Sequence, residues 1–66
     1  MLYEIRYGIP ERYKSVVTSD FEQALRIYDK AKGFATNHNI TWVIALWEKD
    51  WRLIKSVTVN PTAIIH

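Results

Sequence analysis

The 66-residue chain has no cysteine. That excludes disulfides, thiolate nucleophiles and Cys-ligated zinc together, and leaves an apolar core to supply all the stability. Glycine is nearly as scarce: Gly8 and Gly33 are the only two, too few for a phosphate-cradling loop. His38 and His66 are the only imidazoles, and neither has a carboxylate at a spacing that would orient it as a general acid or base. No set of spaced ligands predicts a metal, Ser15, Ser19 and Ser56 have no neighbouring base, and no cofactor is implied. The chain is therefore not expected to be an enzyme. No run approaches the roughly 18 apolar residues of a membrane-spanning helix. The opening Met1-Leu2-Tyr3-Glu4 lacks the basic and then apolar pattern of a secretion signal, so the expected setting is cytoplasmic. Charge of one sign is also missing. Nine Lys and Arg against seven Asp and Glu give a net +2, with the basic residues spread from Arg6 to Lys55 rather than clustered as in a dedicated polyanion binder.

What the chain does have is apolar and aromatic content, 48% and 14% respectively, which is enough to fold. A chain this short buries only about 60% of its unfolded surface, so it has room for one core. Residues 1–60 are expected to form a single α+β domain and 61–66 a tail whose Ile64 and Ile65 need cover.

From Leu2 to Tyr7 the residues alternate, Tyr3, Ile5 and Tyr7 against Glu4 and Arg6, which predicts a half-buried strand. Gly8-Ile9-Pro10-Glu11 supplies turn chemistry, and Arg12 to Thr18 reads as a second strand closing a hairpin. Ser19-Asp20-Phe21-Glu22 has the form of a capping box. It opens a helix whose stripe of Phe21, Ala24, Leu25, Tyr28 and Ala31 is apolar, with Gly33 predicted as the left-handed residue past its end and 35–39 as a loop. Ile40 to Trp47 and Trp51 to Val59 are rich in Ile, Val, Trp and Thr and predict a second hairpin. A two-residue Lys49-Asp50 turn would pair Leu46 with Leu53, Trp42 with Val57, Ile40 with Val59, and Trp47 with Arg52. The expected fold is a mainly antiparallel sheet of three to four strands in the order ββαββ, with one amphipathic helix on one face.

That register puts Ile40, Trp42, Ile44, Leu46, Leu53, Val57 and Val59 under the helix. On the opposite face it leaves Val43, Ala45, Trp47, Arg52 and Ile54, which is too apolar to meet only water. The tail, the first hairpin, a protein partner or a second copy of the chain could cover it. Trp and Arg are residue types that dominate interface energies. Val43, Trp47, Trp51, Arg52 and Ile54 are accordingly the candidate binding residues, with Trp47 and Arg52 expected to stack. The alternative is a platform for single-stranded nucleic acid built from Trp47, Trp51, Arg52 and Lys55, opposed by Glu48 and Asp50 in the same tip.

The capped helix Ser19-Asp20-Phe21-Glu22-Gln23-Ala24-Leu25, followed by a hairpin bearing Ala45-Leu46-Trp47-Glu48, resembles small uncharacterised proteins encoded by phages and prophages. The resemblance covers about half the chain. It implies a protein that acts by binding, and often inhibiting, a host protein stoichiometrically, and it carries no site residue over.

Overall fold

The structure is a computed structural model that describes residues 1–9 and 11–61. Strands β1 (Tyr3–Ile9) and β2 (Arg12–Thr18) are followed by helix α1 (Phe21–Asn37), then β3 (Trp42–Glu48) and β4 (Arg52–Val59). All pairings are antiparallel and the spatial order is β2-β1-β3-β4, so β1 and β3 are central and β2 and β4 are edges. This is the expected ββαββ domain. Pro10 and the predicted tail beyond Pro61, with Ile64 and Ile65, lie outside the described residues.

The core lies between the helix and one face of the sheet. Ile5, Ile44 and Leu46 are fully buried there beneath Ala24, Tyr28, Ala31 and Ala35. Three of those four helical residues are alanines, which lets the helix approach the sheet closely. Tyr28 supplies the bulk. Its burial pushes the phenol above its ordinary range, and the Lys55 ammonium sits 4.6 Å from its ring centre.

Both helix ends differ from the sequence expectation. The N-cap is Asp20, not Ser19: its carboxylate accepts from the Glu22 and Gln23 N–H groups at 3.0 and 3.4 Å. The Thr18 hydroxyl accepts from the Asp20 N–H and donates to the Gln23 side chain, so the reciprocal pair is displaced and relayed through Thr18. At the other end Gly33 is an ordinary helical residue and the helix runs on to Asn37. Continuing through Gly33 costs about 1 kcal/mol relative to Ala. In return Ala35 is buried and Phe34 stacks on Trp42 at 5.3 Å. The left-handed residue is Asn39 (φ 55°), in a Schellman arrangement where Asn39 N–H bonds the Thr36 carbonyl and Ile40 N–H the Ala35 carbonyl. The Asn60 amide donates to the Ala35 and Ile40 carbonyls, tying the helix end to the end of β4.

The second hairpin also departs from the expected register. A two-residue type I′ turn needs positive φ at both central residues, which Lys-Asp does not favour. Instead Lys49, Asp50 and Trp51 all lie in the turn, only Asp50 has positive φ (59°), and the Trp51 N–H bonds the Glu48 carbonyl. Glu48 then pairs with Arg52 and Trp47 with Leu53, after which a bulge at Ile54 shifts the ladder so that Leu46 pairs with Lys55 and Trp42 with Val59. The two offsets add to an even number, so Val57 and Val59 keep their inward orientation. Between turn and bulge the offset is odd and the faces reverse: Leu53 leaves the predicted core and lies opposite Trp47, 45% exposed.

Two stability outcomes follow. Gly33→Ala meets nothing within 4 Å of the added carbon and should stabilise the domain by about 1 kcal/mol, raising Tm by about 4–8 °C; a lower Tm would contradict the helical assignment. Asp20→Ala should lose about 1 kcal/mol in denaturant melts while Ser19→Ala stays near neutral. Equal losses would mean that Ser19 shares the cap.

Candidate functional site

Alternation along the strands sends Glu4, Arg6 and Gly8 of β1, Tyr13, Ser15 and Val17 of β2, and Val43, Ala45 and Trp47 of β3 to the face away from the helix. Its centre is Arg6. The guanidinium carbon lies 5.0 Å from the Trp47 ring centre and 5.8 Å from that of Tyr13, and Nη2 donates to Glu4 Oε1 at 3.1 Å. The hydrogen bond to Glu4 holds the Arg6 pKa above its already high ordinary value. Arg6 Nε is buried without a hydrogen-bond partner among the described residues. Gly8 permits the close approach of β2, because a Cβ there would lie 3.0 Å from the Tyr13 Cα, and its φ of 134° disfavours a side chain in any case. Arg6, Tyr13, Val43 and Trp47 wall a shallow groove of about 310 Å³ with Gly8 and Ala45. Tyr13, Val17, Val43 and Leu53 stay exposed around it. Among the described residues no segment lies over this face.

The predicted binding residues divide. Val43 and Trp47 are on the outer face as expected. Arg52 is not: the odd offset turns it to the Glu48 side, where its Nε donates to Glu48 Oε1 at 2.7 Å, so the expected stack on Trp47 is made by Arg6 instead. Ile54 is the bulged residue and packs against the core, and Leu53 takes its place outside. Trp51 is 78% exposed at the turn, where it lines a shallow groove with Met1, Leu2 and Lys49, apart from the other candidates. The nucleic-acid set is likewise not brought together. Trp47 lies on the outer face, Lys55 stands over Tyr28, Arg52 is paired with Glu48, and Lys49 is paired with Asp50 at 3.1 Å.

Arg6, Tyr13, Val17 and Leu53 were missing from the sequence-derived site. Arg6 was visible as an outward residue of β1. Its importance depends on β1 being central between β2 and β3, which alternation within one strand does not reveal. His38 is exposed and its ring lies 4.2 Å from that of Phe34, while His66 is outside the described residues. Among the described residues no three His, Asp or Glu side chains converge on a metal position, and no helix is long and apolar enough to cross a membrane. Compared with known proteins, the chain matches no family model, no curated protein and no solved structure.

If the outer face is a surface and not a core, truncations on the two faces of β3 must differ. Trp42→Ala, which removes the ring between Tyr7 and Phe34, should cost about 3 kcal/mol or more in urea unfolding. Trp47→Ala should cost about 1 kcal/mol. Equal losses would show that Trp47 is structural.

Proposed function

We infer that the chain is a non-enzymatic interaction domain that docks the outer face of its sheet onto protein, in the first place onto a second copy of itself. The observation that carries this reading is the ring of Tyr13, Val17, Val43 and Leu53, exposed among the described residues around the Trp47 and Arg6 stack. Trp, Tyr and Arg at the centre of an apolar patch are the residue types on which interface energy concentrates, because each buries a large area and keeps a polar handle. The Glu4 carboxylate offsets the Arg6 charge, so two such faces meet without repulsion. Packed sheet on sheet at about 10 Å they would inter-digitate Val43, Trp47 and Leu53. A foreign host protein on the same face is the second reading, favoured by the resemblance to small phage-encoded proteins.

Light scattering from low micromolar to near-millimolar concentration separates these readings. The wild-type mass should rise from 7.8 kDa towards twice that value, and Val43→Glu should hold it at the monomer with an unchanged circular dichroism spectrum. A wild-type mass that never rises overturns docking onto a second copy and leaves the face to a foreign protein. A Val43→Glu chain that unfolds would make the face part of the core.

A further inference from the structure

The helix crosses the sheet diagonally. Its first turn is tied to the end of β2 through Thr18 and Gln23, and its last turn to the end of β4 through Asn60. The turn end of the first hairpin therefore stands clear of the helix on the helix side, and two adjoining grooves of about 270 and 200 Å³ open there, sharing Tyr7 and Trp42. The first is completed by Phe34 and Lys30 of the helix, the second by Arg12 and Lys14 of β2. Four aromatic rings form a continuous run, Tyr7 on Trp42 at 5.5 Å, Trp42 on Phe34 at 5.3 Å with only 22° between the planes, and His38 at the end on Phe34 at 4.2 Å. Phe34 remains 47% exposed. Three cations line the run and no carboxylate does. Among the described residues Arg12, Lys14 and Lys30 are all exposed and none is in an ion pair.

We propose that this helix-side groove binds single-stranded nucleic acid, with bases stacking on Phe34 and Trp42 and phosphates meeting Arg12, Lys14 and Lys30. The combination is what selects the ligand. Cations alone would attract any polyanion, and rings alone any apolar group, whereas a stacked pair of rings flanked by uncompensated cations matches a chain that alternates π faces with phosphates. An acidic peptide would satisfy the cations and leave the rings without flat partners. A duplex keeps its bases stacked internally and offers the rings none. This site is separate from the outer face, which lies on the other side of the sheet and is electrically balanced by Glu4 and Arg6. It is also separate from the turn of the second hairpin, where Arg52 and Lys49 are already paired with acids.

The test uses fluorescence anisotropy of a fluorescein-labelled oligothymidylate titrated with the full chain at low salt. Binding should weaken with salt along a log–log slope of about −2, the value for some three phosphate contacts on a single strand. Arg12→Glu combined with Lys14→Glu, both exposed on an edge strand, should weaken binding by about tenfold or more. Phe34→Leu, which keeps the apolar bulk and loses the flat ring, should weaken it by about tenfold. Trp51→Ala with Arg52→Ala should leave it unchanged. In a Trp47→Phe and Trp51→Phe chain, where Trp42 is the only tryptophan left, the oligonucleotide should quench the fluorescence. No binding at low salt overturns the proposal. So does binding that ignores the Arg12 and Lys14 reversal, or binding that polyglutamate and duplex DNA compete for equally while Phe34→Leu has no effect, because that pattern is charge attraction without a base-stacking site.

Discussion

One helix on a four-stranded sheet is a problem of coverage. A helix with its side chains is about 10 Å across, while four strands about 4.8 Å apart make a layer nearly twice as wide, with two faces. Seventeen helical residues can seal a diagonal band of one face and nothing more. The sealed band is where Ala24, Ala31 and Ala35 let the helix settle onto Ile5, Ile44 and Leu46. Among the described residues, what the band leaves bare is the outer face and the turn end of the β1–β2 hairpin. Both surfaces of interest follow from that shortfall.

The two bare surfaces differ in electrical character, and the strand order is the cause. β1 is central, so its outward Glu4 and Arg6 lie side by side in the middle of the sheet and cancel, leaving a neutral patch of Trp47, Tyr13 and Val43. β2 is an edge, and its helix-side residues Arg12 and Lys14 lie across from Ile9 and Tyr7 and, among the described residues, pair with no acid. They join Lys30 beside the rings of Tyr7, Trp42 and Phe34. A small domain thus presents a neutral apolar face and a cationic aromatic one on opposite sides of a single sheet.

Much of this was legible in the chain itself. Element order, fold class, the bounds of β2 and the helical stripe all follow from local periodicity, because hydrophobic spacing and backbone geometry act over the same few residues. Other features were hidden because they depend on partners distant in sequence. Gly33 looks like a helix terminator until Trp42 is present for Phe34 to stack on. Ser19 looks like a cap until Thr18 is seen to hold the Asp20 backbone. The extra turn residue and the bulge at Ile54 moved two candidate site residues, Arg52 and Ile54, since each single inserted residue exchanges the faces of a strand. Val43 and Trp47 escaped because they lie on β3, whose pairing with β1 is regular.

The claim on which both surfaces depend is that the helix shields one face of the sheet only. Methyl relaxation by a soluble paramagnetic agent, read by NMR at a concentration low enough to keep the chain monomeric, tests it most directly. The methyls of Val17, Val43 and Leu53 should broaden strongly, while those of Ile5, Ile44 and Leu46 should be spared. Equal protection of the two sets would mean that the outer face is already sealed within one molecule, and the account would be wrong.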